Sequence, residues 1–252
     1  MEASDPPLFG NTRSRVTHNY ALITPDTHVN SPLVGWQNTT AVHHISPEMG
    51  ARFSQFTVFM TAGGRSESAG PGIERFVYVQ QGSVRLSSDS KRELTEGCFV
   101  FLPADTQDRI VCDQSATLVM FDKRYVPHPD FETPAMVVGN ANETSGEAFM
   151  GDPDAVLKTF LPISPEYDMA VNLFTYQPGA TLPQVEIHVM EHGLIMLDGQ
   201  GIYRLGADHF PVAKGDVIWM GSFCPQWFVA MGKKPASYLY YKDIHRERLS
   251  ET

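Results

Sequence analysis

Ile73-Glu74-Arg75-Phe76-Val77-Tyr78-Val79-Gln80-Gln81-Gly82 and Met190-Glu191-His192-Gly193-Leu194-Ile195-Met196-Leu197-Asp198-Gly199 read as two versions of one segment, and their pairing decides the fold. Flanking stretches repeat in the same order. Phe56-Thr57-Val58-Phe59-Met60-Thr61-Ala62-Gly63-Gly64 resembles Asn172-Leu173-Phe174-Thr175-Tyr176-Gln177-Pro178-Gly179-Ala180, and Glu96-Gly97-Cys98-Phe99-Val100-Phe101-Leu102-Pro103 resembles Lys214-Gly215-Asp216-Val217-Ile218-Trp219-Met220-Gly221. The glycine landmarks fall at 63 and 179, 82 and 199, 97 and 215, offsets of 116, 117 and 118. A period this long marks a duplicated domain rather than a solenoid of short repeats.

Each copy carries β signals. Runs rich in Val, Phe, Tyr and Ile, such as Phe76–Val79, Phe99–Leu102, Thr117–Phe121, Leu194–Leu197 and Val217–Met220, are separated by Gly, Pro, Asp and Ser turns. Short strands at near-regular spacing predict an all-β chain of two tandem barrels that close their own edges. The expected organisation is an N-terminal extension over 1–50 that wraps the barrels or extends a sheet, a first barrel over 51–125, a linker over 126–165, and a second barrel over 166–252. Asp152–Phe160 is the stretch expected to be helical.

The formal charge of -10 and the scatter of the basic residues exclude a nucleic-acid or anionic-membrane surface, which requires a basic patch. No apolar run approaches the roughly 20 residues that cross a bilayer. Met1-Glu2-Ala3-Ser4-Asp5-Pro6-Pro7 lacks the basic start and apolar stretch of a secretion signal, so a cytoplasmic protein is expected. The 3 cysteines, Cys98, Cys112 and Cys224, have no Cys-x-x-Cys spacing and read as small buried side chains, not as disulfides or zinc ligands.

The chemistry is concentrated in the second copy. Glu186 and His188 stand two apart on an expected strand and so share a face. His192 follows near a bend that Gly193 permits, and Gln226 follows the tight Gly221-Ser222-Phe223-Cys224-Pro225 segment. One carboxylate, two imidazoles and one amide inside a narrow barrel suit Mn²⁺, Fe²⁺, Ni²⁺ or Zn²⁺, and the absence of thiolate counts against structural zinc. Glu191 points away from Glu186 by strand parity. The remaining histidines (His18, His28, His43, His44, His128, His209 and His245) are read as ordinary core or surface residues, with His43 and His44 on opposite faces. The first copy is an internal control. Its positions equivalent to the four ligands are Ala69, Pro71, Arg75 and Asp108, of which the first two cannot ligate and Arg75 would repel a cation. The first barrel is therefore expected to be structural.

These residues resemble the motifs of the cupin superfamily. The first motif reads Gly179, then Glu186-x-His188-x-x-x-His192, then Gly199, with Glu and the last His exchanged relative to the common order. The second reads Gly215, Gly221, Gln226, with Gln where His is usual. Together with Tyr203-Arg204-Leu205-Gly206 and Cys224-Pro225-Gln226-Trp227-Phe228, the stretch Leu182–Gly193 is similar to the (S)-ureidoglycine aminohydrolases of purine (allantoin) breakdown. The resemblance implies a bicupin hydrolase that releases ammonia from (S)-ureidoglycine to give (S)-ureidoglycolate, with Mn²⁺ on Glu186, His188, His192 and Gln226. It further implies that Glu186, Gln226, Tyr238 and Lys242 contact substrate; Lys242 and Glu186 are the candidate catalytic residues, and either of them, or a metal-bound water, could protonate the departing amine. Tyr238, Tyr240 and Lys242 alternate and so share one strand face. A homo-oligomer acting on a small molecule is expected. Another metal-dependent cupin enzyme, such as an Fe²⁺ dioxygenase or an isomerase, and a non-enzymatic storage or sensor bicupin are the alternative readings.

Overall fold

The computed structural model describes residues 10–244, so the opening stretch 1–7 and His245 lie outside it. Among the described residues there is no α-helix; two 3-10 turns, Pro25–Thr27 and Pro47–Met49, interrupt twenty strands.

The repeat is visible in the backbone. All three landmark pairs adopt positive φ: Gly63 and Gly179, Gly82 and Gly199, Gly97 and Gly215. Gly82 and Gly199 show why no other residue serves. A Cβ on Gly82 would lie 2.1 Å from the Ser115 carbonyl oxygen, and one on Gly199 would lie 2.4 Å from that of Pro235. Both the left-handed conformation and the close backbone approach demand glycine at the same place in each copy.

In the first half, a nine-stranded sheet runs Val137–Asn140, Cys98–Leu102, Ile73–Leu86, Ala116–Arg124, Phe53–Arg65, Gln37–Ile45, Ser31–Pro32 in spatial order, with Glu93–Thr95 and Ile110–Cys112 off this path. It curls around an apolar interior that includes Phe56, Val77, Val100, Leu118 and Met120. In the second half, Val217–Met220, His192–Asp198, Ala236–Asp243 and Met169–Tyr176 are consecutive in an eight-stranded sheet. Its inner face meets a three-stranded sheet of Asp208–Ala213, Gln200–Leu205 and Gln226–Met231. Phe174, Tyr176, Met196, Tyr203, Phe228 and Tyr238 share the core between these two sheets.

Each half is extended by the segment that precedes the other. Tyr20–Ile23, ahead of the first barrel, pairs antiparallel with Val217–Met220 of the second. Val137–Asn140, ahead of the second barrel, pairs with Cys98–Leu102 of the first. The two receiving strands are partners in the sequence repeat, so the exchange is reciprocal. A third core joins the halves, where Phe53 and Phe121 meet Tyr241 at ring centroid distances of 4.0 Å and 5.9 Å.

The helix expected over Asp152–Phe160 is not formed. Asp152–Thr159 is a strand, paired from Ala155↔Tyr176 to Thr159↔Asn172 with Met169–Tyr176. The stretch carries Ala and Leu, which favour helix, but the open edge of the second barrel offers a full backbone ladder, and Ala155 and Leu157 pack on that barrel's core. Propensity is a weak prior when a sheet edge and an apolar face compete with it.

Candidate functional site

The second barrel holds a cavity of about 150 Å³, lined by Glu186, His188, His192, Tyr203, Gln226, Tyr238, Tyr240 and Lys242 among others. That space is on the scale of several waters or a small polar molecule. Every residue that the sequence singled out for this site faces it.

The segment carrying Glu186 and His188 is not the regular strand expected. It runs alongside Gln226–Met231, with isolated bridges at Thr181↔Val229 and Glu186↔Gln226 and a further bond from the Leu182 N–H to the Phe228 carbonyl at 2.9 Å, but forms no regular strand. Pro183 lies between them and has no N–H to donate, which prevents a continuous ladder. At the second bridge the backbone bonds are reciprocal, Glu186 N–H to the Gln226 carbonyl at 2.9 Å and Gln226 N–H to the Glu186 carbonyl at 3.0 Å. The Phe223 N–H donates to the His188 carbonyl at 2.7 Å. Phe223 itself has φ +61, an uncommon conformation for a bulky residue, which turns the chain so that Gln226 enters its strand facing inward.

His192 opens the strand His192–Asp198 and lies between Met220 and Lys242 in the sheet. Its Nε2 is 3.2 Å from Nε2 of His188, and that nitrogen is 2.8 Å from the Gln226 side-chain amide. The Glu186 carboxylate is 3.9 Å from the same His188 nitrogen. The His188 Nδ1 is 3.1 Å from the Met190 carbonyl oxygen. A carbonyl can only accept, so Nδ1 carries the proton and Nε2 presents its lone pair to the cavity, the tautomer a metal ligand needs. Burial holds His192 neutral by pushing its pKa well below the usual histidine value, and the charges of His188 and Lys242 add to this. Burial raises the Glu186 pKa, against the opposing influence of His188 and Lys242.

The imidazoles of His188 and His192, the side-chain amide of Gln226 and the carboxylate of Glu186 thus line one cavity, and these residue types suit a divalent cation of mixed N/O preference. Among the described residues no group of three or more His, Cys, Asp or Glu side chains is gathered into a metal site.

Opposite these groups stands a wall of phenols. Tyr238, Tyr240 and Lys242 do share a face of Ala236–Asp243, and all three line the cavity. The Tyr238 and Tyr176 hydroxyls are 3.0 Å apart. Burial pushes the Tyr176, Tyr203, Tyr238 and Tyr240 phenols upward in pKa, so they remain protonated donors. Tyr203 and Tyr240 were not assigned site roles from sequence. For Tyr240 the signal was present, since it alternates with Tyr238 and Lys242; for Tyr203 none was, because it reaches the cavity from the facing sheet. Glu191 is buried and turned away toward Trp219 and Arg52.

In the first barrel the corresponding positions are engaged in other contacts. Arg75 occupies the position of His192, and its guanidinium pairs with Asp122 through two bonds of 2.7 Å. Asp108 accepts from the Ser88 N–H at 2.9 Å.

Comparison with known proteins identifies the family. The cupin domain model matches residues 172–241, which span the cavity-bearing half. The chain is 41% identical to the probable (S)-ureidoglycine aminohydrolase of Oryza sativa subsp. japonica, over 96% of this chain and 78% of that one. It is 35% identical to the (S)-ureidoglycine aminohydrolase of Escherichia coli K12, over 93% of this chain and 92% of that one. This chain belongs to the (S)-ureidoglycine aminohydrolase family. The crystal structure of protein Ylba from Escherichia coli superposes with a TM-score of 0.83 at 32% identity, covering 94% of this chain and 96% of that one. As a member of this family the protein is an all-β bicupin. No helix among the described residues is long and apolar enough to cross a membrane.

Proposed function

We propose that this chain is an (S)-ureidoglycine aminohydrolase that uses Mn²⁺ in its second barrel, held by Glu186, His188, His192 and Gln226. The observation that carries the reading is the convergence of two imidazole nitrogens 3.2 Å apart with Gln226 and Glu186, facing Lys242 and Tyr238 across one small cavity. Bound there, a divalent cation would supply Lewis-acid charge for chelating an amino-acid-like substrate.

The remaining steps fall to the side chains. The substrate carries a carboxylate, a ureido group and an amine on one carbon. Lys242 and the Tyr238 hydroxyl hold anionic oxygen, and Gln226 and Glu186 contact the polar substituents. In a partly buried cavity these pairings orient the reacting carbon and act more strongly than in water. Water then replaces the amine on that carbon: the new C–O bond forms, the C–N bond breaks, the departing nitrogen gains a proton and the water loses one. Lys242 and Glu186 face the cavity together, and the nearby Lys242 charge favours the Glu186 carboxylate against the effect of burial. They are the groups placed to give and take those protons. The phenols, kept neutral by burial, can donate hydrogen bonds without adding negative charge.

Within the same reading, the enzyme acts in the cytoplasm as a homo-oligomer, with Cys98, Cys112 and Cys224 as free thiols. The first barrel carries none of the proposed chemistry itself.

The test is an ammonia-release assay on freshly generated ureidoglycine, with and without added Mn²⁺, alongside metal analysis and light scattering of the purified protein. Lys242→Met should reduce turnover by about 10²–10⁴-fold, the usual worth of a proton-transfer group, while metal content stays unchanged. Unchanged kinetics in that variant would remove Lys242 from the mechanism. Absence of ammonia release by the wild type would remove the substrate.

A further inference from the structure

Arg52 belongs to the first barrel, immediately before Phe53–Arg65, yet its polar contacts lie on the second. Its backbone N–H donates to Glu191 Oε1 at 2.8 Å and its Nε donates to the same oxygen at 3.1 Å. Its Nη2 donates to the Asp243 carboxylate and to the Ser222 hydroxyl. The other Glu191 oxygen accepts from the Trp219 indole at 3.3 Å. Glu191 and Asp243 are also tied to each other, the Glu191 N–H donating to Asp243 Oδ1 at 2.8 Å.

The significance lies in the sequence neighbours. Glu191 precedes His192, Asp243 follows Lys242, and Trp219 precedes Met220, which pairs with His192. Along strands, adjacent side chains face opposite sides. Glu191 and Asp243 therefore look toward the barrel junction, while His192 and Lys242 look into the cavity. His192 and Lys242 are themselves direct partners in the sheet. One guanidinium thus fixes, from behind, the two strand ends that carry a ligand candidate and the cavity cation. Glu191 is 2% exposed, so its carboxylate has no solvent alternative to these donors. The contact continues at Gly193, where the Phe53 ring lies 2.4 Å from the position a Cβ would take.

We propose that Arg52 is a positioning residue for the second-barrel site, so that the barrel without a site contributes to catalysis by setting His192 against Lys242. This rests on the functional reading above. Arg52 touches neither substrate nor metal and acts through Glu191 and Asp243. The planar, forked guanidinium matters, because it must satisfy two carboxylates and a hydroxyl from one side chain.

The experiment uses the full-length, Mn²⁺-loaded enzyme and the variants Arg52→Ala, Arg52→Lys and Glu191→Gln. Three quantities are read below the melting transition: kcat and KM for ammonia release, Mn²⁺ affinity by titration calorimetry of the metal alone, and the fraction folded by circular dichroism. Outer partners of metal ligands change affinity or activity by roughly 10–100-fold when removed. Arg52→Ala should therefore lower kcat by about tenfold or more, with a smaller change in KM, and weaken Mn²⁺ binding, while remaining folded. Arg52→Lys should recover part of both losses. Where Arg52→Ala does not fold, Glu191→Gln, which keeps shape and removes charge, should give the same pattern in milder form. A folded Arg52→Ala, or a folded Glu191→Gln, with wild-type kcat and wild-type Mn²⁺ affinity overturns the proposal, whatever its melting temperature. Failure of the wild type to release ammonia would instead overturn the functional reading, and Mn²⁺ affinity would then decide the role of Arg52 alone.

Discussion

His44 should make this protein acid-labile, by an amount that its burial sets. Its ring is 2% exposed, its Nε2 is 2.9 Å from the Thr57 hydroxyl, and its Nδ1 has no hydrogen-bond partner. The His28 ring packs against it at 4.6 Å. Burial is the main cause that pushes its pKa down from 6.5 to about 3, with His28 and His43 adding to it. The folded form therefore holds fewer protons than the unfolded chain between pH 6.5 and about 3, so stability rises with pH across that window. Above pH 6.5 the ring is neutral in both states and costs nothing. At about pH 5 the unfolded chain is protonated and the folded chain is not, a difference of about 1.5 pKa units, or about 2 kcal/mol. The measurement is urea unfolding of the wild type and of His44→Gln at about pH 7.5 and about pH 5. Groups common to both proteins cancel, including His28, whose own downward shift comes from burial opposed by Asp216 and Asp26. The wild type should lose about 2 kcal/mol more than the variant on acidification. Equal losses would mean that His44 protonates freely in the folded state, and the argument from its burial would be wrong.

Other outcomes follow from the same geometry. Lys242→Met should abolish most turnover and leave metal content intact, as measured by ammonia release and metal analysis. Gly193→Ala should cost about 1–3 kcal/mol in thermal or urea unfolding, because its Cβ would fall 2.4 Å from the Phe53 ring and 2.7 Å from the Gln55 amide oxygen. Arg75→Met should destabilise by about 3–5 kcal/mol by leaving Asp122 unpaired, whereas Arg75→Met with Asp122→Leu should recover much of this. Both should leave kcat near the wild-type value, since that mouth of the first barrel carries none of the proposed chemistry.

Part of the cavity lining was legible in the chain because its spacing is short-range. Glu186 and His188 are two apart, His192 is four further on, and Tyr238, Tyr240 and Lys242 alternate, and all of them line the one cavity, whereas Gln226 reaches it from a distant strand. Asp152–Thr159 was misread for the complementary reason. Its composition allows helix, and only the free edge of Met169–Tyr176, contributed from elsewhere in the chain, made the strand the better solution. Tyr203 was missed because no local pattern reports on a facing sheet.

The sequence by itself determined the duplication, the β character of both copies, and the asymmetry between a polar barrel and one carrying Ala69, Pro71, Arg75 and Asp108. Those are properties of residue type and period, which the backbone obeys wherever the segment goes. Only the tertiary structure decided the reciprocal exchange, in which Tyr20–Ile23 completes the sheet of the second barrel and Val137–Asn140 that of the first. It alone also carried Arg52 across 139 residues to Glu191. The physical reason is that strand pairing and ion pairing satisfy groups by proximity, and proximity between distant segments is a property of the folded chain.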